Sequence, residues 1–291
     1  MSGKMKTMFI RHCYFTTVFG SHKQLFSYNK SVHICTIRIF LRNTNMEIIT
    51  FGGGQRIAEC ERVLLSKSDT CGRVVLLPIP TTRDNKYITG SSVQIDEVSA
   101  MVDRSTLVAG YNLPMKMLNA VSEVGGRALD LATDENFLIK NAELTARGTI
   151  GYILTHSKFD LSDMSVGVVG YGRIGIRLVR WLLLFGAELT VYTTRPEIAL
   201  ELCEMGISAC VIGEKSDFSR LNILINTAPA RQIDENTLPP ELEIIDLASG
   251  SIFQPSSRLI KLSSIPEAFY PLSAGRIYAD AVLGAIGGVE L

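Results

Sequence analysis

None of the 29 acidic residues in this 291-residue chain precedes Glu47, although seven of the 29 Lys and Arg do (Lys4, Lys6, Arg11, Lys23, Lys30, Arg38 and Arg42). A whole-chain net charge of zero therefore hides a break at Met46, beyond which 22 basic residues face all 29 acids. A chain neutral overall has no global field for nucleic acid or an anionic membrane surface, and neither partner is expected. No apolar run reaches ~18 residues, so no helical membrane span is expected and the chain reads as cytoplasmic. None of the six cysteines (Cys13, Cys35, Cys60, Cys71, Cys203, Cys210) stands in a C-x-x-C pair, and a chain this long needs no disulfide framework; reduced thiols are expected. Histidine is scarce. His12, His22 and His33 lie before Met46 without metal-ligand spacing, and His156 alone follows it, so no metal site is expected.

Residues 1–45 form an atypical basic extension. Three origins are open: a transit peptide, which is Arg-rich and acid-poor; a partly ordered or disordered tail; or non-native sequence ahead of a true start at Met46. The composition favours the last.

From Met46 on, strand and helix patterns alternate. Strands are expected at Ile48–Phe51, Val74–Leu77, Thr106–Ala109 and Ala128–Asp130, with helices at Ile57–Ser66, Ile95–Met101 and Pro114–Val124. A long helix follows from about Asp134 to His156, with Thr133 as its expected N-cap. The pattern then repeats, with strands at Val166–Val169, Glu188–Tyr192, Ala209–Val211, Ile223–Asn226, Glu243–Asp246 and Arg258–Leu262. Its helices are expected at Arg173–Phe185, Pro196–Met205 and Ala274–Leu283. The strands are continuous apolar runs, as parallel strands covered on both faces require. The expected fold is α/β: two doubly wound parallel-sheet domains, the second a Rossmann dinucleotide-binding domain. The first would span 46–145, with a linking helix to about 157, and the second 158–291, its last helix a candidate to return to the first.

Two strand–glycine–helix units compete for a cofactor. Gly170-Tyr171-Gly172-Arg173-Ile174-Gly175 is a full G-x-G-x-x-G between a strand and a helix. Gly170 permits the tight turn, Gly172 lets the backbone approach a pyrophosphate, and Gly175 lets the helix pack on the strand. The earlier turn has Gly52, Gly53 and Gly54, but position 57 is Ile, so Gln55 and Arg56 are open between a site role and packing of the helix start. After the second unit the next strand ends in Thr193, Thr194 and Arg195, where an NAD site usually places an acid. Two hydroxyls and a guanidinium suit a 2′-phosphate, which favours NADP over NAD. Thr227, Ala228 and Pro229, and then Ala248 and Ser249, follow later strands and join Arg173 and Ile174 as cofactor candidates. Asn226 and Asp246 are open between site and structural roles.

The combination "VGVVGYGRIGIRLVRWLLLFGAELTVYTTR…NILINTAP…LEIIDLAS", with "LPIPTT" and "PLSAGRIYADAVL", resembles the family of the dipicolinate synthase A-type subunit and, more distantly, the 2-hydroxyacid dehydrogenases. The resemblance covers about residues 46–287. It implies an NADP-dependent oxidoreductase that converts a dihydrodipicolinate-type precursor to dipicolinate during sporulation. It also implies a small dicarboxylate substrate and a second, flavoprotein-like subunit within a homo- or hetero-oligomer. Departures from the family pattern, at Gly250-Ser251-Ile252 and at Glu267-Ala268-Phe269, fall near the expected substrate site. Alternatives are a dehydrogenase of another small carboxylic acid, or a non-catalytic nucleotide-binding assembly subunit. Substrate-binding candidates are Thr81, Thr82, Arg83, Arg147, Ser249, Ser273 and Arg276. No C-terminal His–acid pair exists, which disfavours ordinary hydroxyacid oxidation and leaves the general acid and base unassigned. Aromatisation of a dihydropyridine needs mainly a well-placed ring.

Overall fold

The computed structural model describes residues 46–67, 72–213, 216–228, 233, 238–248 and 253–287, together with the backbone course of three earlier strands. The chain divides into two units, one taking the residues before Ile139 and from Pro271 onward, the other Ile139–Tyr270.

The first unit holds strands β1 (Cys13–Phe19), β2 (His22–Asn29), β3 (Ile34–Ile39), β4 (Met46–Thr50), β5 (Gly72–Leu76), β6 (Thr106–Gly110) and β7 (Arg127–Asp130). They form one sheet in sequence order. β4 to β7 run parallel, while β1 to β4 pair antiparallel. No periodicity singled out β1–β3, yet their segments "CYFTTVF" and "ICTIRI" are rich in β-branched and aromatic residues, which suit a pleated strand. Helices α1 (Gln55–Leu65), α2 (Ile95–Ser99) and α3 (Met115–Glu123) cover the parallel part. Alternate strand residues feed two cores. Ile48, Val74, Leu76 and Leu107 pack with Ile57, Cys60 and Leu64 of α1. Ile49, Val75, Leu77 and Val108 pack with Val98 of α2 and Met117 and Val121 of α3.

α4 (Glu135–His156) carries the chain out of this unit. Its N-cap differs from the sequence expectation. The Asp134 carboxylate accepts the Phe137 N–H at 3.0 Å, whereas the Thr133 hydroxyl donates to the Asp130 carbonyl. An aspartate one residue later caps as well as threonine and carries charge that suits the helix N-terminus.

The second unit contains β8 (Ser165–Val169), α5 (Arg173–Leu184), β9 (Glu188–Thr193), α6 (Pro196–Glu204), β10 (Ser208–Val211), β11 (Ile223–Asn226), β12 (Glu243–Asp246), β13 (Leu259–Lys261) and α7 (Ile265–Phe269). The all-parallel order is β10-β9-β8-β11-β12-β13. The chain moves one way from β8 to β10, then crosses back to β11, so the strand order reverses between β8 and β11. In open α/β sheets ligands bind beyond the carboxyl ends of strands at such a point. α7 is too short for a periodic signal. It packs on α4 where Gly148 has no side chain: a Cβ there would overlap Ile265 Cγ2 and lie 3.3 Å from the Phe269 ring.

Finally α8 (Pro271–Gly287) belongs to the first unit and starts three residues earlier than expected, because proline is tolerated in a helix's first turn. Tyr278, Ala279 and Val282 join the α1-side core, and the buried Tyr278 hydroxyl reaches the Leu77 and Ala109 carbonyls at 3.0 and 2.7 Å.

Candidate functional site

The second unit's glycine turn occupies the switch point. β8 ends at Val169, and Gly170 turns the chain with φ +91°, a backbone state that disfavours side chains. A Cβ there would also lie 2.8 Å from the Thr227 hydroxyl. Gly175 sits buried in the first turn of α5, where a Cβ would overlap the Gly170 carbonyl oxygen and lie 3.0 Å from its carbon. Gly172 has the opposite setting. It is the exposed N-cap of α5, in extended conformation, with no atom within 4 Å of a would-be Cβ. No side chain caps this helix. Its first-turn N–H groups lack intrahelical acceptors and carry the positive end of the helix dipole. The turn therefore offers open space and N–H groups where a phosphate needs both.

Beside it lies a cavity of about 480 Å³ lined by Val169, Gly170, Tyr171, Gly172, Arg173, Ile174, Tyr192, Thr193, Thr194, Arg195, Ile212, Thr227 and Ala228. Among the described residues two arginines line it and no carboxylate does, a charge balance that suits an anion. Thr193 is buried, and its hydroxyl accepts the Arg195 N–H at 3.2 Å. The Arg195 guanidinium donates from Nη2 to the Tyr171 carbonyl at 2.8 Å, joining the end of β9 to the glycine turn. The Thr227 hydroxyl donates to the Val169 carbonyl at 2.8 Å, tying β11 to β8. Tyr192 is held by its hydroxyl on the Asp217 carbonyl at 2.6 Å and by the Phe218 ring, 4.7 Å away centre to centre. Burial pushes its phenol well above the ordinary range, so it stays neutral.

The geometry thus gathers Gly170, Gly172, Arg173, Ile174, Thr193, Thr194, Arg195, Thr227 and Ala228 around one cavity, with Gly175 behind the turn. Ala248 is buried and does not line it, while Pro229 and Ser249 lie outside the described residues. Sequence reasoning missed Tyr171, Tyr192 and Ile212. Each carries a signal: Tyr171 is the variable position of G-x-G, and Tyr192 and Ile212 stand at carboxyl ends of parallel strands.

Of the substrate candidates, the described ones (Thr81, Thr82, Arg83, Arg147, Ser273 and Arg276) do not line this cavity. Thr81 is fully buried, and its hydroxyl accepts the Tyr111 N–H at 2.9 Å within the fold. Thr82 donates to the Asp84 carboxylate at 3.2 Å. Arg83 is exposed and lines a second cavity, of about 680 Å³, with Thr89, Ser91, Ser92 and Gln94. The two other arginines are engaged. Arg147 Nε pairs with Glu143 at 2.8 Å while its guanidinium lies 5.0 Å from the centre of the Trp181 ring, whose own N–H donates to Glu143 at 3.0 Å. Arg276 Nε pairs at 3.0 Å with Glu59, which Arg62 also grips at 2.6 and 2.8 Å. These guanidinia hold the Glu59 carboxyl down at about 2. Ser273 is exposed in the first turn of α8. Arg56 is buried, and α8 meets the start of α1 there, with Gly275 against the Arg56 backbone carbonyl. His156 stacks on Tyr152 at the end of α4 and lines another pocket, with Asn222, Glu241 and Glu243, not the glycine-turn cavity.

A parallel sheet in this order, with a glycine turn at its switch point, is a Rossmann-type α/β frame. The chain resembles the A-type subunit of dipicolinate synthase. It is 25% identical over 183 residues to that protein from Bacillus subtilis (strain 168), covering 59% of this chain and 62% of the relative. The glyoxylate reductase of Thermococcus onnurineus (strain NA1) is 24% identical over 179 residues, 57% of this chain and 53% of that enzyme. The chain thus matches between about half and three-fifths of these curated relatives' length. Among solved structures, the A-type dipicolinate synthase subunit from Bacillus halodurans superposes with a TM-score of 0.72 at 21% identity, over 84% of this chain and 99% of that one, which shows a shared fold. No family profile matches the chain.

Proposed function

We propose that this chain is an NADP-dependent oxidoreductase subunit that oxidises a dihydrodipicolinate-type precursor to dipicolinate. The observation that carries the reading is the cavity at the glycine turn, lined among the described residues by Arg173 and Arg195 and by no acid. The residues fit a dinucleotide: Gly172 leaves open space, and the uncapped α5 N-terminus supplies N–H groups for the pyrophosphate. Thr193, Thr194 and Arg195 would hold a 2′-phosphate, for which a ribose-reading carboxylate would be repulsive. Tyr171, Tyr192 and Ile212 supply apolar walls for a flat ring. The bound nicotinamide would supply hydride acceptance. The substrate loses a hydride and a proton from neighbouring ring atoms, and aromatisation supplies driving force. The chain's own part is then to bind, to orient and to exclude water. No described carboxylate or histidine lines the cavity, which is consistent with a reaction that asks little of a protein base.

The substrate assignment rests on the likeness to dipicolinate synthase, as does the expectation of a sporulation setting and of a second subunit. The likeness to glyoxylate reductase supports a second reading, a dehydrogenase of another small carboxylic acid.

Fluorescence titration with NADPH and NADH tests the cofactor: tighter NADPH binding is expected, and equal or reversed affinity refutes the 2′-phosphate reading. Nicotinamide reduction with freshly generated dihydrodipicolinate, with and without the second subunit, tests the reaction. Turnover only on other carboxylic acids would select the second reading.

A further inference from the structure

Two stretches of the second unit share one pattern with the charges inverted. "RIGIRLVR" opens α5 at Arg173, and "EIALELCE" runs through α6 from Glu197. The inward positions match: Leu178 and Leu202 are buried in the same core on one side of the sheet. The outward positions match in spacing and oppose in sign. Arg173, Arg177 and Arg180 stand at i, i+4 and i+7 on α5, and Glu197, Glu201 and Glu204 stand at the same spacing on α6, so each triplet forms one stripe. Ile176 and Leu200 fall at matching positions within the two patterns, and both are exposed.

A stripe of one sign is unfavourable to a lone helix, because like charges at i, i+4 repel. Within the chain the stripes do not neutralise each other. Arg177 and Arg180 answer to Glu143 of α4, 3.6 Å from Arg177, and Arg147 also shares that one carboxylate. Among the described residues no cation pairs with the three glutamates. Large apolar side chains stand beside both stripes: Leu184 is 69% exposed on α5, and Leu200 and Met205 are 66% and 70% exposed on and just after α6. Exposed apolar groups gathered beside charge mark a surface that binds protein. The charges indicate which protein, since what suits the arginine stripe is a helix patterned like α6, and what suits the glutamate stripe is one patterned like α5.

We propose that α5 and α6 form a self-complementary surface on which two copies of this chain pair, α5 of one protomer on α6 of the other and the reverse. A two-fold axis running along the helices sets first turn against first turn and makes both pairings at once, as an isologous interface requires. Arg177 and Arg180 of each copy then face the partner's Glu201 and Glu204, and Leu184 and Leu200 leave water. The pairing is independent of the nucleotide reading. The test is sedimentation equilibrium of the full chain at low and high salt, with circular dichroism to confirm folding. It compares wild type, Leu200→Asp, Arg180→Glu, Glu204→Arg and an equimolar mixture of the last two; Arg173 is left alone because it lines the cavity. Wild type is expected to be at least dimeric and to weaken as salt rises. Each single variant should raise the dissociation constant about tenfold or more. The mixture restores opposite charge at both 180–204 contacts and should return to within about threefold of wild type. A monomeric wild type would overturn the proposal, including one that instead binds a different subunit through this face. So would an assembly that none of the substitutions weakens, or a mixture no tighter than its components. Should a charge reversal fail to fold, Arg180→Gln and Glu204→Gln replace it and must weaken the assembly in the same direction by a smaller factor; wild-type association in both would equally refute the pairing.

Discussion

Gly172→Ala separates a ligand-approach role from a packing role more cleanly than any other substitution in the turn. Gly172 has φ −102° and ψ −160°, an extended conformation open to any residue, and no atom lies within 4 Å of the new methyl group. Two small terms act on stability. Replacing glycine reduces the freedom of the unfolded chain, which stabilises by about 0.4–1 kcal/mol. Alanine is a poorer N-cap than glycine by a similar amount. The expected net change is near zero, a Tm shift within about 2 °C. Binding differs. If a pyrophosphate comes to van der Waals distance of the turn, the methyl group overpacks that contact by about 1–3 kcal/mol, equivalent to roughly 5- to 150-fold weaker binding. Gly175→Ala is the control. Its methyl group meets the Gly170 carbonyl, which is backbone and cannot swing away, so stability should fall by about 1–3 kcal/mol or more. The assay is NADPH fluorescence titration beside thermal melting for both variants. Unaltered affinity in Gly172→Ala, or a Tm loss there as large as in Gly175→Ala, would refute the assignment of this turn to a dinucleotide.

Arg195→Gln should lower NADPH affinity about tenfold and leave NADH affinity within about threefold, since it removes one charged hydrogen-bond donor from the end of β9; a parallel loss for both ligands in titration would count against a 2′-phosphate role. The Glu59 carboxyl, held at about 2 by Arg62 and Arg276, contributes stability that is present above the unfolded value near 4.5 and lost as pH falls toward 2. Glu59→Gln should therefore flatten the drop in Tm across that window, and an unchanged acid profile would show the ion pairs to be energetically idle. Gly148→Ala should cost about 1–3 kcal/mol by urea titration, because the new methyl group meets Ile265 of α7; a wild-type midpoint would show that α7 yields.

Much of the frame was legible because its signals are local. Continuous apolar strands, two glycine turns and a Pro-initiated α6 each state their conformation within a few residues. β11 and β12 fall at Ile223–Asn226 and Glu243–Asp246, as the apolar runs indicated. The cap of α4 was misplaced by one residue because Thr133 and Asp134 are both good N-caps, and only the hydrogen bond to Phe137 decides between them. β1–β3 escaped because their composition was read for charge and not for strand propensity. The substrate candidates were the least legible. An arginine's sequence position says nothing of whether a carboxylate already holds it, and Glu143 and Glu59 hold Arg147 and Arg276 from a helical turn or from a distant helix.

The contrast between the two glycine turns follows from one position. In the second unit, Gly175 lets the first turn of α5 press against the Gly170 carbonyl, which brings the helix N-terminus and its N–H groups up to the turn at the switch point. In the first unit the matching residue is Ile57, buried among Ile48, Leu64 and Leu76. A side chain of that size fills the space through which helix and turn would close. Gly52 and Gly54, with φ +75° and +130°, bend the chain there. Gly53→Ala, at a position with no atom within 4 Å, should then leave NADPH affinity unchanged while Gly172→Ala weakens it. Loss of binding from Gly53→Ala with an unaltered Tm would move the dinucleotide to the wrong turn and with it the whole assignment.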